Sequence, residues 1–315
     1  MLPVFAAHPR ENTPVTATSL EQQAPALPTR QDHIPLGIAY MIAASILFAL
    51  SSAASKWLVA TYPIGEVLFS RALGSLVLVS LVVLPHTGLA VFRTVRLRDH
   101  LARGISQSFS QAFLIIAFSL MPLATATAIN FSAPLFATLA SIFLLRERVG
   151  LARWATLVVG FCGVLIVTRP GVGTFQLGAL FALGNAILYG TVTAGVRGMT
   201  ATESTETLTM YQAALLTVAF AMLLPFGAKA PSWIDAPLLV FNGVVNGIGQ
   251  YWWTRALHLA PTSAVAPFQY FSLVWAMILG FFIWGDAPTV SLLLGSAIVV
   301  ASGLSLLWRE TRRRR

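Results

Sequence analysis

The chain has 315 residues, of which 57% are apolar and only 10% charged, with a formal net charge of +9. Soluble domains carry about 25% charged residues, so 20 basic and 11 acidic side chains cannot clothe a water-facing surface of this size, and a soluble globular protein is excluded. The basic residues cluster between apolar runs and in a closing run from Arg312 to Arg315, which is the pattern of membrane topology and not the basic face of a nucleic-acid-binding domain.

Residues 1–35 differ from the rest. Prolines 3, 9, 14, 25, 28 and 35 interrupt a polar stretch without a sustained apolar face, and the segment is expected to be disordered. Its apolar part, Leu2 to Ala7, is too short for a secretory signal and has no basic flank before it.

From Leu36 onward, apolar stretches of roughly 20 residues recur, the length that crosses about 30 Å of hydrocarbon. They predict ten spans, near 36–58, 65–84, 100–119, 123–145, 151–168, 176–196, 207–226, 236–257, 262–284 and 289–308. Turn signals separate them: Tyr62-Pro63, Met121-Pro122, Arg169-Pro170-Gly171, Ala260-Pro261 and Ala287-Pro288. An N-terminus on the cytoplasmic side puts 16 lysines and arginines there, Arg103 among them, and 4 (Lys56, Arg71, Arg169 and Lys229) on the other half. That asymmetry places both termini in the cytoplasm.

The chain repeats itself. At an offset of 139, Leu120 falls on Leu259, Pro122 on Pro261, Asn130 on Gln269 and Glu147 on Asp286. The same offset pairs Gly104 with Gly243, Gln107 with Asn246 and Gln111 with Gln250. Earlier in each half the offset is 141, and there Phe48 meets Tyr189, Lys56 meets Arg197 and Arg71 meets Gln212. Each half holds five spans. Five is odd, so the halves must enter the membrane with opposite polarity, the arrangement from which many secondary transporters build two access states.

These residues resemble the drug/metabolite transporter superfamily, in particular its ten-span members built from two EamA-type repeats. The stretches that carry the resemblance are Gly249-Gln250-Tyr251-Trp252-Trp253-Thr254-Arg255-Ala256, then Leu259-Ala260-Pro261-Thr262-Ser263 to Phe268, Tyr270, Trp275-Ala276, Gly280 and Gly285-Asp286-Ala287-Pro288. In the first half they are Lys56, Tyr62-Pro63, Glu66, Phe69, Arg71 and Arg146-Glu147-Arg148. The chain departs from the family at Phe48-Ala49, where many members have a tryptophan-glycine pair. The resemblance implies an all-α integral membrane fold: a first repeat over 36–168, a second over 176–308 and a basic tail over 309–315.

Candidate binding residues come from polarity inside spans. Arg71 lies about two turns into the second span, where a charge is costly to insert and needs a reason to persist; it either meets an anionic or carbonyl group or locks helices together. Glu66 is a candidate for taking up a coupling proton, with Lys56 opposite it at the end of the first span, although an acid in a first turn also has a purely helical use. Gly104, Gln107, Ser108 and Gln111 form one helical face, and Asn242, Asn246 and Gln250 another. The repeat superposes Gln107 with Asn246 and Gln111 with Gln250, so these four are expected to ring a pseudo-twofold axis, with Asn130 and Gln269 beside them. Asn185, Tyr189 and Thr193 make a similar stripe, for which cavity lining and interhelical bonding stand level. Tyr270 and Trp275 are the late aromatics expected to stack on a planar ring.

No P-loop appears, and neither His-Glu-x-x-His nor Gly-x-Ser-x-Gly occurs. One cysteine, Cys162, and five scattered histidines offer no zinc site. No catalytic residue, metal or cofactor is therefore expected, and the partners are the lipid bilayer and a small-molecule substrate. The resemblance implies a secondary transporter of the bacterial inner membrane working by alternating access. It extends to the superfamily's riboflavin importers, so riboflavin uptake is the narrowest expectation, with transport of S-adenosylmethionine, amino acids or drugs as the alternative. A membrane enzyme acting on lipids would need an acidic metal-binding cluster where the inner loops are arginine-rich, and a purely structural protein has no need of two-fold amide stripes.

Overall fold

A computed structural model describes residues 33–136, 139, 151–168, 175–199, 202–260, 265 and 268–313. Of residues 1–35, expected to be disordered, 1–32 lie outside the described residues, while Ile34 and Pro35 already belong to the first helix. The Arg146-Glu147-Arg148 motif and the Arg169-Pro170-Gly171 turn also lie outside the described residues. Among these, the α-helices are Ile34–Leu58 (α1), Ile64–Thr87 (α2), Leu97–Leu120 (α3), Leu123–Asn130 (α4), Leu151–Thr168 (α5), Phe175–Met199 (α6), Thr205–Ala221 (α7), Ala236–Leu259 (α8), Phe271–Trp284 (α9) and Val290–Arg313 (α10). No strand occurs among the described residues. The expected all-helical membrane fold is observed, with helix in every predicted span among the described residues, and the last helix runs on through the basic residues to Arg313.

Three stretches, Ile34–Leu58, Ile64–Phe92 and Thr205–Phe226, are long and apolar enough to cross a bilayer by length and composition alone. Helices α3 and α8 have 24 residues each, and at 1.5 Å per residue that is about 36 Å. Their apolar character is diluted by Arg103, Gln107 and Gln111 in one and by Asn242, Asn246 and Gln250 in the other. The helices that carry the polar stripes are thus not among those three stretches.

Packing reverses the order of a water-soluble core. The buried interior is rich in alanine and serine, such as Ala44, Ser51, Ala53, Ser55, Ala117 and Ala126, because small residues let helix backbones approach where lipid removes the hydrophobic drive. Large apolar side chains point outward, as with Leu81 at 70% and Phe282 at 79% exposure. The α2–α8 crossing is a close one: a Cβ on Gly74 would stand 2.7 Å from the Cα of Gly243, so neither position has room for a side chain.

Helix neighbours obey the repeat. α1 packs on α8 and its repeat mate α6 packs on α3; α1 also meets α9 as α6 meets α4; α2 touches α8 as α7 touches α3. Three pairs, α2–α7, α4–α9 and α5–α10, are their own mates and sit on the axis. Polarity follows from the helix ends. At one end, His33 N donates to Leu259 O at 3.0 Å, joining the start of α1 to the finish of α8. At the other, Lys56 Nζ near the finish of α1 donates to Met121 O at 2.6 Å, and Gly178 at the start of α6 packs on Leu120 and Met121. So α1 begins at the first end and α6 at the second: the halves are inverted.

Candidate substrate cavity

Two breaks in the helices prepare the site. The fourth span stops being helical at Phe131 and Ser132 and resumes at Ala133. Pro134 has no N–H for the carbonyl of Asn130, and Ser132 Oγ turns back to donate to Ile129 O at 2.6 Å. In the second repeat, Tyr270 breaks the helix between Gln269 and Phe271. Phe131 and Tyr270 are 139 residues apart, so the two breaks are repeat mates. Discontinuous spans at mid-depth are where transporters of this construction place their ligands.

Between the halves lies a cavity of about 230 Å³ whose wall includes Arg71, Gln107, Gln111, Asn130, Tyr189, Asn246, Gln250 and Gln269. Eight of the expected residues are thereby brought together, four from each repeat. The wall also contains Phe48 and Trp253, and the departure from the family pattern at Phe48 thus lies on the cavity itself. Its volume is below the 300–1,000 Å³ typical of ligand sites. The lining residues Arg103, Thr209, Trp253 and Gln269 carry it from mid-depth toward the His33 end.

Arg71 is 9% exposed. Its Nε and Nη2 both donate to Asn246 Oδ1, at 3.0 and 2.7 Å, while Asn246 Nδ2 donates to Ser75 Oγ at 2.9 Å and Ser75 Oγ to Arg71 O at 2.9 Å. A charged guanidinium is held by neutral dipoles, without a carboxylate among the described residues. Arg103, assigned by sequence to the cytoplasmic charge count, lines the same cavity and donates through Nη2 to Gln212 Oε1 and through Nη1 to Leu208 O. Arg103 precedes Gln107 by one turn on the same helical face, and that spacing was the signal that could have singled it out.

A second network joins three helices: Ser110 Oγ donates to Asn185 Oδ1 at 2.6 Å, and Asn185 Nδ2 to Asn130 Oδ1 at 2.6 Å. Asn185 therefore both lines the cavity and binds α6 to α3 and the broken span. Asn242, on the stripe with Asn246 and Gln250, is fully buried elsewhere: its Oδ1 accepts from Ser51 Oγ at 2.6 Å and its Nδ2 donates to Ser55 Oγ at 3.0 Å. It fastens α8 to α1. The side chain of Thr193 lies outside the described residues.

Four of the expected residues are placed away from the cavity wall. Tyr270 packs its ring on Phe131, centroids 4.8 Å apart, and its buried hydroxyl has no partner; Trp275 Nε1 is likewise buried and unpartnered. Lys56 Nζ donates to Phe118 O at 3.1 Å and Met121 O at 2.6 Å and lies 5.3 Å from the Trp284 ring centroid. Glu66 Oε2 accepts from Lys229 N at 2.9 Å. Beside it Tyr62 Oη donates to Asp235 Oδ2 at 2.8 Å and accepts from Ser232 N at 3.0 Å. With buried Leu68, Phe118 and Phe220, these contacts close the end opposite His33.

An inverted pair of five-helix halves around a polar cavity at mid-depth defines a multi-span membrane transporter. The chain belongs to the EamA-like transporter family, which matches it twice, over residues 35–169 and again over 176–308. The family and the named relatives are transporters, not enzymes. A riboflavin transporter of Rhizobium johnstonii is 29% identical over 89% of this chain and 93% of its own length. One of Vibrio cholerae is 28% identical over 90% and 97%, and an S-adenosylmethionine uptake transporter of Rickettsia bellii is 27% identical over 88% and 95%. A solved crystal structure of 20% sequence identity superposes at a TM-score of 0.61 over 90% of this chain and 98% of the other, a likeness of fold alone.

Proposed function

We propose that the chain carries a small organic metabolite, riboflavin at its narrowest, across the bacterial inner membrane by alternating access. The moving bodies are the two halves, 36–168 and 176–308, with the 1–35 segment and the 309–315 tail in the cytoplasm. Arg71, Gln107, Gln111, Asn130, Tyr189, Asn246, Gln250 and Gln269 are the substrate contacts, and the closed end with Lys56 and Glu66 faces outward. The observation that carries this reading is the cavity wall itself: two arginines, a ring of amides from both repeats and, among the described residues, no aspartate or glutamate.

That charge pattern supports riboflavin over S-adenosylmethionine. S-adenosylmethionine carries a sulfonium and an ammonium beside its carboxylate; two guanidiniums suit the carboxylate and repel both cations in a low-dielectric site. Riboflavin is uncharged, flat and rich in carbonyl and ring-nitrogen acceptors, which arginine and amide donors satisfy. Uptake of labelled riboflavin by a vitamin-auxotrophic bacterium expressing the chain tests the reading. Accumulation above the empty-vector level is expected; none, with membrane expression verified, overturns it. Carboxy-terminal fusions to a cytoplasm-dependent fluorescent reporter test the orientation, with fluorescence expected.

A further inference from the structure

Three buried polar atoms on the cavity wall have no hydrogen-bond partner: Arg71 Nη1, Arg103 Nε and Gln107 Oε1. The first two are donors on permanently charged groups and the third is an acceptor. Buried polar groups are nearly always paired, so three orphans on side chains that line one cavity describe the chemistry of what could be held there.

The repeat explains how Gln107 came to be left over. Its mate Asn246 is engaged by Arg71, and the mate of Arg71 is Gln212. Inverted symmetry would therefore have Gln212 engage Gln107. Instead Gln212 Oε1 accepts from Arg103, one turn away on α3. The departure from symmetry adds a second guanidinium to the cavity and frees the Gln107 carbonyl at the same time. Both guanidiniums are pinned, Arg71 on Asn246 and Arg103 on Gln212 and Leu208, so the donors left over are preorganised and not free to turn away.

We infer that Arg71, Gln107 and Arg103 read an imide edge, a ring N–H flanked by two carbonyls. The two guanidinium donors serve the carbonyl oxygens and Gln107 Oε1 accepts from the N–H. A carboxylate would occupy both arginines and leave the Gln107 oxygen facing another acceptor; a cation would meet only donors. The pyrimidinedione end of a flavin is an imide of this kind, so the inference deepens the riboflavin reading and rests on the cavity being the substrate site, though not on riboflavin being the substrate.

The test uses purified full-length protein in detergent, with lumichrome, thymine and riboflavin as imide probes and N3-methyllumichrome and N3-methylriboflavin as controls in which the N–H is replaced. Lumichrome is expected to bind at least tenfold tighter than its N3-methyl form, and Gln107→Leu should bring the two within twofold. This ratio is a readout that a merely structural role of Gln107 would not move. Equal binding by the wild type, no binding of any imide probe, or a ratio that survives Gln107→Leu each overturns the inference; if that variant fails to fold, the wild-type ratio decides. Failure is distinguishable from failure of the transport reading. Riboflavin carried, with N3-methylriboflavin competing equally, removes the imide contact alone. Riboflavin not carried, with lumichrome still preferred over its methyl form, removes the vitamin alone.

Discussion

Phe131 and Tyr270 occupy equivalent places in the two repeats and lie against each other, ring centroids 4.8 Å apart and planes tilted by 48°. Each sits at the break in its span, so the axis relating the halves passes through an aromatic pair next to the cavity. Such a pair contributes about 0.5–1.5 kcal/mol beyond its buried area. Phe131→Ala and Tyr270→Ala should each lower the melting temperature in detergent, and the double variant should lose less than the sum. Tyr270→Phe removes a buried hydroxyl that bonds nothing; its melting temperature should equal or exceed wild type, with uptake within twofold. A tenfold loss of uptake in Tyr270→Phe would place that hydroxyl on the substrate.

Arg71 depends on one oxygen of Asn246. Asn246→Leu leaves the guanidinium buried without its acceptor, a loss of about 1–3 kcal/mol or more for a charged group. Thermal unfolding should show the single variant less stable than Arg71→Leu/Asn246→Leu, in which both partners are apolar. A double variant at least as unstable as the single would mean that Arg71 is held by other contacts.

Lys56 latches the closed end by capping the carbonyls of Phe118 and Met121, and Lys56→Met removes both bonds. In a Cys162→Ser background, a cysteine replacing Ser52 on the cavity wall should react slowly with a membrane-impermeant maleimide applied from outside. Adding Lys56→Met should speed labelling several-fold. An unchanged rate would show that the apolar plug of Leu68, Phe118 and Phe220 closes this end unaided.

Gln111 and Gln250 are repeat mates that both line the cavity. Gln111→Ala and Gln250→Ala should each abolish riboflavin uptake while the protein remains inserted at the wild-type level. Wild-type rates in both would return these amides to interhelical packing, where each contributes about 0.6 kcal/mol.

Much of the architecture was legible because lipid imposes a blunt rule: a span needs roughly 20 apolar residues in a row, and the intervals between turn signals from Leu36 to the basic tail obey it. The inverted repeat was legible too, because five is odd and the offsets 139 and 141 align polar residues one by one. Helical spacing identified faces, and the faces bearing Gln107, Gln111, Asn246 and Gln250 do meet the cavity. What spacing cannot supply is the identity of the helix opposite. Asn242 and Asn246 share one stripe, yet Asn242 faces Ser51 and Ser55 of α1 while Asn246 faces Arg71 of α2. Arg103 belonged by sequence to a cytoplasmic cluster, and only the packing of α3 on α7 turned it toward Gln212 and the cavity. Hydropathy is a property of one helix and its solvent, so the order of residues along the chain determines it; the partner of a buried polar atom is a property of two helices, and is decided only when they pack.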